Sequence, residues 1–217
     1  MHDRRIDGEA QTFANYGGLY MNAMTWLSRE SDSVWSQPTG VAIQGPLKGV
    51  RLEMLPSTVV PWGTWKKEHA DTLVLKTSKP LFRLSPSEPF RSYAGSYVIG
   101  VALGEHAKAY PFDEVSERVV VNDAVGEVPV LVYANPDDRS VHIFVRRAGD
   151  LALEFQWSDG RLVDAGTGSV WDPTKGFALE GPLRGELLKE LPSSTAYDWA
   201  WEDFYPHTQF YRGGPEA

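Results

Sequence analysis

The residues best suited to acid–base chemistry lie near the carboxyl end of the chain. Asp198 and Glu202 are spaced i, i+4, and His207 follows them. On a helix, this spacing puts both carboxyl groups on one face, where like charges raise a carboxyl pKa. Aromatic residues surround the cluster and would offer a platform for a sugar ring. The pattern indicates a hydrolase as one hypothesis, with Asp198, Glu202 and His207 as its catalytic candidates.

A second group of residues could bind a small polar ligand. Amide and aromatic side chains are concentrated in one short segment, at Asn15, Tyr16, Tyr20, Asn22 and Trp26. Such groups combine hydrogen bonding with apolar contact, which is typical of ligand pockets. We rank this segment first among the candidate binding sites.

Two basic residues stand at the tips of related turns. Lys48 and Arg184 each occupy the fourth position of a Gly-Pro-Leu-Lys/Arg-Gly sequence. Proline fixes φ and the glycines permit positive φ, so these sequences predict rigid turns. An anion held by the two cations is the functional alternative.

The related turns belong to an internal repeat. Residues 33–72 align without a gap to residues 169–208, with 15 of 40 positions identical. Trp35 and Trp171 occupy the same place in both copies, which predicts core anchors rather than ligand-stacking residues. Asp198 and Glu202 are replaced by Trp62 and Lys66 in the first copy. This difference favours a structural helix with solvated acids over a catalytic pair.

The repeat also predicts how the chain is divided. Upstream, Arg4-Arg5 and Phe13 match Arg146-Arg147 and Phe155 at an offset of 142 instead of 136. The first copy therefore carries six extra residues before Trp35. We therefore expect residues 1–78 to form the second half of unit one and residues 97–212 to form a complete unit two. Residues 79–96 are predicted to be a Pro- and Ser-rich linker, and residues 213–217 a tail.

Strand signals dominate the secondary structure. Three hairpins are predicted in unit two: Tyr97–Leu103 with Ala107–Tyr110, Arg118–Val121 with Val128–Tyr133 through an Asn122-Asp123 turn, and Ser140–Arg147 with Leu151–Trp157. Two short helices are predicted, at Trp62–His69 and Asp198–Tyr205. The expected fold is mainly β with two short helices, arranged as duplicated pseudo-symmetric units. Strand edges left open in unit one would favour a homodimer.

Composition narrows the range of partners. The chain has 217 residues, a formal net charge of −8 and no cysteine. Its acidity argues against nucleic acid as a partner, because nucleic acid selects clustered Lys and Arg. We expect no membrane span, because there is no long apolar run. No metal-ligand spacing and no cofactor motif is evident.

Two stretches resemble a known bacterial family. They are IDGEAQTF…GGLYMNAMTWLSRESDSVWSQPTGVAIQGPLKGVRLEMLPS in unit one and VIGVALGEHAKAYPF…VVNDAVGEVPVLVYA in unit two. Both are similar to the family known as domain of unknown function 3179. The resemblance implies a Cys-Pro-x-Cys-Gly motif just before Asp3-Arg4-Arg5. In unit two, the equivalents of its cysteines are Asn135 and Asp138.

Three functional hypotheses follow. The favoured one is a non-catalytic binding or envelope-associated module for a small polar or saccharide-like ligand. The second is a fragment of a redox- or metal-dependent enzyme whose Cys motif would lie upstream of Met1. The third is the hydrolase at Asp198. An extracytoplasmic location is expected from the family resemblance alone.

Overall fold

The computed structural model describes residues 1–58, 60–74 and 97–213, and it is mainly β with several antiparallel sheets. The predicted linker at 79–96 lies outside the described residues, as do residues 214–217 of the predicted tail. The strands are β1 (Arg5–Ile6), β2 (Glu9–Ala10), β3 (Phe13–Tyr20), β4 (Ala23–Ser28), β5 (Ser33–Ser36), β6 (Ala42–Gln44), β7 (Tyr97–Leu103), β8 (His106–Pro111), β9 (Val120–Val125), β10 (Val128–Ala134), β11 (Val141–Val145), β12 (Arg147–Ala148), β13 (Leu151–Ala152), β14 (Phe155–Ser158), β15 (Arg161–Asp164), β16 (Val170–Trp171), β17 (Ala178–Glu180), β18 (Ser194–Tyr197) and β19 (Gln209–Phe210). The helices are α1 (Trp62–Glu68), α2 (Phe112–Arg118) and α3 (Asp198–Phe204).

Both predicted helices are confirmed, and the described residues add a third. Helices α1 and α3 end one residue before the predicted ends, at caps formed by His69 and Tyr205. The expectation of two helices was wrong because α2 gives little sequence signal. Only Val115 of α2 is buried, with Phe112 partly buried one turn before it, so the apolar spacing covers a single turn and is a weak helical signal.

One predicted hairpin is placed differently. Asn122 and Asp123 do not form a turn: they lie inside β9, and the chain turns at Gly126 and Glu127. The side chain of Asn122 acts here as a peptide group. Its Nδ2 donates to the Phe155 carbonyl at 2.7 Å, and its Oδ1 accepts from the Phe155 N–H at 2.8 Å. These two hydrogen bonds join the sheet of β9, β10 and β11 to β14.

Another predicted hairpin is divided between two sheets. Strand β11 pairs with β10, whereas only β12 and β13 pair across the predicted Ala148-Gly149-Asp150 turn. The first predicted hairpin, β7 with β8, is confirmed over its whole length.

Two four-stranded antiparallel sheets have matching turns. They are β3-β4-β5-β6 and β14-β15-β16-β17. In one, the Ser33 hydroxyl accepts from the Leu47 N–H at 3.1 Å, and in the other the Ser169 hydroxyl accepts from the Leu183 N–H at 3.1 Å. Gly45 has a φ of +95°, and a Cβ there would lie 2.7 Å from the Cα of Ser33. Only glycine allows both the positive φ and the close approach to Ser33 at this position.

The tryptophans of these two sheets are core anchors, as expected. Trp35 is 0% exposed and Trp171 is 1% exposed. Each packs edge-on against a phenylalanine, Phe13 and Phe155 respectively, with ring centroids 5.6 and 5.7 Å apart. The Nε1 of Trp35 also donates to the buried Ser28 hydroxyl at 3.1 Å.

The hairpin of β7 and β8 is buried on both faces. Ile99 and Val101 face the largest apolar cluster, together with Tyr110 of β8. On the opposite face, the ring of Trp201 from α3 lies against Gly100, where a Cβ would come within 2.3 Å of the ring. Strand β18 pairs antiparallel with β7 and β19 pairs parallel with β8, so the segment around α3 encloses this hairpin.

A buried ion pair crosses this core. The Nζ of Lys108 lies 2.7 Å from Oδ2 of Asp123, and Lys108 is 8% exposed. Burial, and then the neighbouring Asp123 carboxylate, raise the pKa of Tyr110 far above its ordinary value. Tyr110 therefore stays neutral next to the Lys108–Asp123 ion pair.

The side chain of Asn122 gives a first prediction. Asn122→Ala leaves the Phe155 N–H and carbonyl without partners, so the free energy of unfolding should fall by about 2 kcal/mol in urea denaturation. Asn15→Ala is the matched control, because the Asn15 Oδ1 accepts only from the Gly17 N–H in an exposed hairpin. Its effect should stay within about 0.5 kcal/mol. Equal losses in the two variants would contradict the bridging role.

A second prediction concerns His2, whose ring lies against Gly40 as the Phe144 ring lies against Gly176. Burial lowers the pKa of His2 below its ordinary value of 6.5, although the hydrogen bond from Nε2 to the Gln37 carbonyl opposes this. Below pH 6.5 the unfolded chain binds a proton that the folded chain does not, so the folded state loses stability as the pH falls. In His2→Phe this loss should be absent. As the pH is lowered from about 7.5 to about 5, the free energy of unfolding of the original protein should fall relative to that of the variant. Parallel pH profiles would show that His2 does not contribute.

Candidate functional site

A cleft of about 550 Å³ lies where the end of unit one meets unit two. It is lined by Met1, Ser57, Thr58, Val60, Pro61, Tyr97, Phe112, Asp138, Arg139, Val141, Ser193, Ser194 and Thr195. Apolar groups and hydroxyl groups therefore share its walls.

The hydroxyl groups come from two matching segments. Leu55-Pro56-Ser57-Thr58 precedes α1, and Leu191-Pro192-Ser193-Ser194 precedes α3 at the same offset as the repeat. The Thr58 hydroxyl donates to the Val141 carbonyl at 2.9 Å, which holds the first segment against β11. The second segment enters β18, where Ser194 pairs with Gly100 in the ladder with β7. Both walls are thus fixed to the sheets of unit two.

A rigid loop brings charge to the cleft. Between β10 and β11, the Arg139 N–H donates to the Asn135 carbonyl at 2.9 Å. The Ser140 N–H donates to Asp138 Oδ1 at 2.9 Å, and the Asp137 N–H to Asn135 Oδ1 at 2.8 Å. Arg139 has a φ of +59°, a conformation that is uncommon for a residue with a side chain. The loop therefore fixes Asp138 and Arg139 side by side at the edge of the cleft.

Aromatic rings continue from the cleft to the surface. Tyr97 lines the cleft and lies opposite Tyr197 in the ladder, with ring centroids 4.8 Å apart. Tyr197 stacks on Trp199 with centroids 6.0 Å apart and an interplanar angle of 10°. Trp199 is 52% exposed. This row extends from the cleft lining at Tyr97 to the exposed Trp199.

The predicted acidic cluster lies next to this row but outside the cleft. Asp198 is the first residue of α3, and its Oδ1 accepts from the Trp199 N–H at 2.7 Å. Glu202 is exposed on the same helix. His207 follows the helix and lines a separate pocket of about 60 Å³ with His106 and Lys108. The three hydrolase candidates therefore do not line one common cavity among the described residues.

The residues of the predicted insertion site lie on the hairpin of β3 and β4. Asn15, Tyr16 and Asn22 are exposed. Tyr20 is also exposed, and its ring lies 6.3 Å from that of Phe204 in α3. Trp26 is only half-buried and packs against His2 and Phe13, each at a centroid distance of 5.9 Å. The hairpin offers an exposed surface and no enclosed cavity is described there.

The two basic turn residues are also exposed. Lys48 and Arg184 stand at equivalent turns of the two four-stranded sheets. Neither lines the cleft. None of the three groups of candidate residues lines the cleft.

Sequence reasoning missed the cleft. The available signal was the Leu-Pro-Ser triplet that both copies share at 55–57 and 191–193. In the sequence this triplet marks only the repeat, and hydroxyl residues before a helix are typical of capping. In the structure neither α1 nor α3 has a side-chain cap, so these hydroxyls are left for other contacts.

Two further observations concern the described residues only. Within 1–58, 60–74 and 97–213, no three His, Asp or Glu side chains are grouped as a metal site. In the same ranges, no helix has the length and apolar character needed to cross a membrane.

Comparison with known proteins gives a family and little else. No curated protein and no solved structure matches the chain. The model of the family described as "Protein of unknown function (DUF3179)" matches residues 1–208. This match extends over both units, as the resemblance of the sequence implied. The chain therefore belongs to the DUF3179 family.

Proposed function

We propose that this protein is a non-catalytic binding module that takes a small uncharged polyhydroxylated ligand, of the saccharide type, in the cleft. The observation that carries the proposal is the combination of hydroxyl side chains from two matching segments with an aromatic row that starts at Tyr97. We also infer that the two walls are copies of one duplicated segment. The favoured hypothesis from the sequence is kept, and its site moves from the insertion to the cleft.

The size and lining of the cleft support a small ligand. Its volume of about 550 Å³ falls within the range of about 300–1,000 Å³ that is usual for small-molecule sites. The hydroxyl groups of Ser193 and Thr195 both donate and accept hydrogen bonds, as sugar hydroxyls do. Apolar contacts with Val60, Pro61 or the Tyr97 ring would suit the C–H face of a sugar ring.

The charges in the cleft support an uncharged ligand. Its charged side chains are one carboxylate, Asp138, and one guanidinium, Arg139, while the Met1 amino group donates to the Ser57 hydroxyl at 3.4 Å. A site for a phosphate or a polyanion would carry an excess of cations. A matched acid and base are instead suited to orienting neutral hydroxyl groups through charge-assisted hydrogen bonds.

Ligand binding by variants of the cleft is the first test. The probes are glucose, N-acetylglucosamine, maltose, cellobiose and chitobiose, each measured by saturation-transfer NMR and by thermal shift. At least one should bind, and the double variant Ser193→Ala with Thr195→Val should weaken that binding about thirtyfold, because two ligand hydroxyls lose partners worth about 1 kcal/mol each. The absence of binding by all five would contradict the saccharide class.

Matched variants separate the cleft from the other candidate sites. Asn22→Ala and Tyr20→Ala test the insertion, and Lys48→Ala with Arg184→Ala tests the basic turns. We expect all four to leave the affinity within about twofold, since these residues lie outside the cleft. Loss of binding in the insertion variants, with the cleft variant unaffected, would return the site to β3 and β4.

The hydrolase hypothesis has its own test. Each probe disaccharide is incubated with the protein and its products are analysed by chromatography. We expect no cleavage. Cleavage that disappears in Asp198→Asn or Glu202→Gln would replace the binding module by an enzyme.

A further inference from the structure

The aromatic row that leaves the cleft is built along one face of a strand. In β18, Thr195 and Tyr197 are two residues apart and therefore point to the same side of the sheet. Thr195 lines the cleft, and so does Tyr97, which lies opposite Tyr197 in the ladder. The Tyr97 and Tyr197 rings are 4.8 Å apart between centroids. The row thus starts beside a hydroxyl group of the cleft and runs outward along β18.

Trp199 forms the outer end of this row, and helix α3 keeps it at the surface. Trp199 and Trp201 are two positions apart in α3, and residues with this spacing do not share a helix face. Trp201 packs on Gly100 and is 4% exposed, whereas Trp199 is 52% exposed. Tyr197 stacks on one side of the Trp199 ring at an interplanar angle of 10°, so the ring is supported on that side and open on the other. We call the open side of the Trp199 ring the outer platform.

Carboxyl groups stand beside the outer platform. Glu202 and Asp203 follow Trp199 by three and four positions, which places them on the same face of α3, and both are exposed. An ionised carboxylate only accepts hydrogen bonds, and the hydroxyl groups of a sugar can donate them. Glu202, a hydrolase candidate from the sequence, is therefore suited, together with Asp203, to holding a neutral sugar over the ring. The same two charges would repel an acidic sugar.

We propose that the ligand is an oligosaccharide of at least three neutral sugar units, with its inner units in the cleft and an outer unit stacked on the outer platform. The proposal rests on the saccharide function proposed above and specifies the length of the ligand. Trp199 is separated from the cleft-lining Tyr97 by two ring-to-ring steps, of 4.8 and 6.0 Å. A sugar in contact with Tyr97 is therefore a different unit from the one that covers Trp199. The apolar C–H face of that outer unit would lie on the flat indole, whose large apolar area favours such contacts.

The test compares ligands of different length. Maltose, cellobiose and chitobiose are each paired with the matching tetrasaccharide (maltotetraose, cellotetraose and chitotetraose), and dissociation constants are measured by isothermal titration calorimetry. In a series that binds, the tetrasaccharide should bind about thirtyfold more tightly than the disaccharide. Stacking on the indole should supply about tenfold of this gain. The overlapping disaccharides within the longer chain should supply the remaining factor of about three.

Trp199→Ala separates these two contributions. The variant should keep the affinity for the disaccharide within about twofold, because Trp199 does not line the cleft. Its tetrasaccharide gain should drop to about threefold, because only the stacking is lost. Trp62→Ala is the matched control, since Trp62 is 51% exposed on α1 and lies outside the row. It should leave both affinities within about twofold.

A second measurement reports on the outer platform directly. The indole N–H signal of Trp199 is assigned in NMR spectra by its absence from Trp199→Ala. This signal should shift on addition of the tetrasaccharide and stay in place on addition of the disaccharide, because only the longer chain reaches the ring. Circular dichroism confirms that each variant is folded.

The possible failures are distinguishable. Absence of binding by every disaccharide and every tetrasaccharide would contradict the saccharide function itself, and the outer platform with it. A disaccharide that binds, with a tetrasaccharide that gains about threefold or less, would overturn only the outer platform. A full tetrasaccharide gain that survives in Trp199→Ala would do the same, because the outer sugar would then lie elsewhere.

Discussion

The burial of the β7–β8 hairpin on both of its faces is the constraint on which the rest of this structure depends. Successive residues of a strand point to opposite faces, so Ile99 enters the main core while Gly100 meets the indole of Trp201. Covering the second face requires α3 to lie across it, with β18 and β19 paired along its two edges. The same pairing places Thr195 and Tyr97 at the cleft. The candidate site therefore exists because the hairpin has to be covered on both sides.

A repeated sequence gives equal local geometry without giving equal surroundings. Trp35 and Trp171 are buried alike, because each sheet of four strands supplies its own core. Trp65 and Trp201 make the same kind of stacking and the same hydrogen bond, yet among the residues that the structure describes only Trp201 lies against a hairpin. Local contacts are set by residues close in sequence, whereas burial depends on which distant segments of the chain pack against those residues. The repeat thus accounts for the matched walls of the cleft, and the packing around each copy accounts for the different exposure of Trp65 and Trp201.

Much of the fold was predictable where the signal is local. The turn at Gly45 follows from glycine and proline at fixed spacing, and the β7–β8 hairpin from two apolar runs around a glycine. Asn122 and Asp123 misled the prediction, because asparagine next to aspartate is typical of a turn. Their side chains are used instead for tertiary contacts, Asn122 with the Phe155 backbone and Asp123 with Lys108. Polar residues inside a strand carry no sequence mark that distinguishes these roles.

The sequence by itself determined the mainly β fold, the helices α1 and α3, and the family, because each rests on residue types and spacings within short segments. It also showed the Leu-Pro-Ser triplet in both copies, without indicating that the two triplets line the same cleft. Only the tertiary structure decided that Ser57 and Ser193 line one cleft together with Arg139. These residues are far apart in the chain, and their distance in space follows from how the sheets pack. The same packing decided that Trp201 is buried and that Trp65 is exposed.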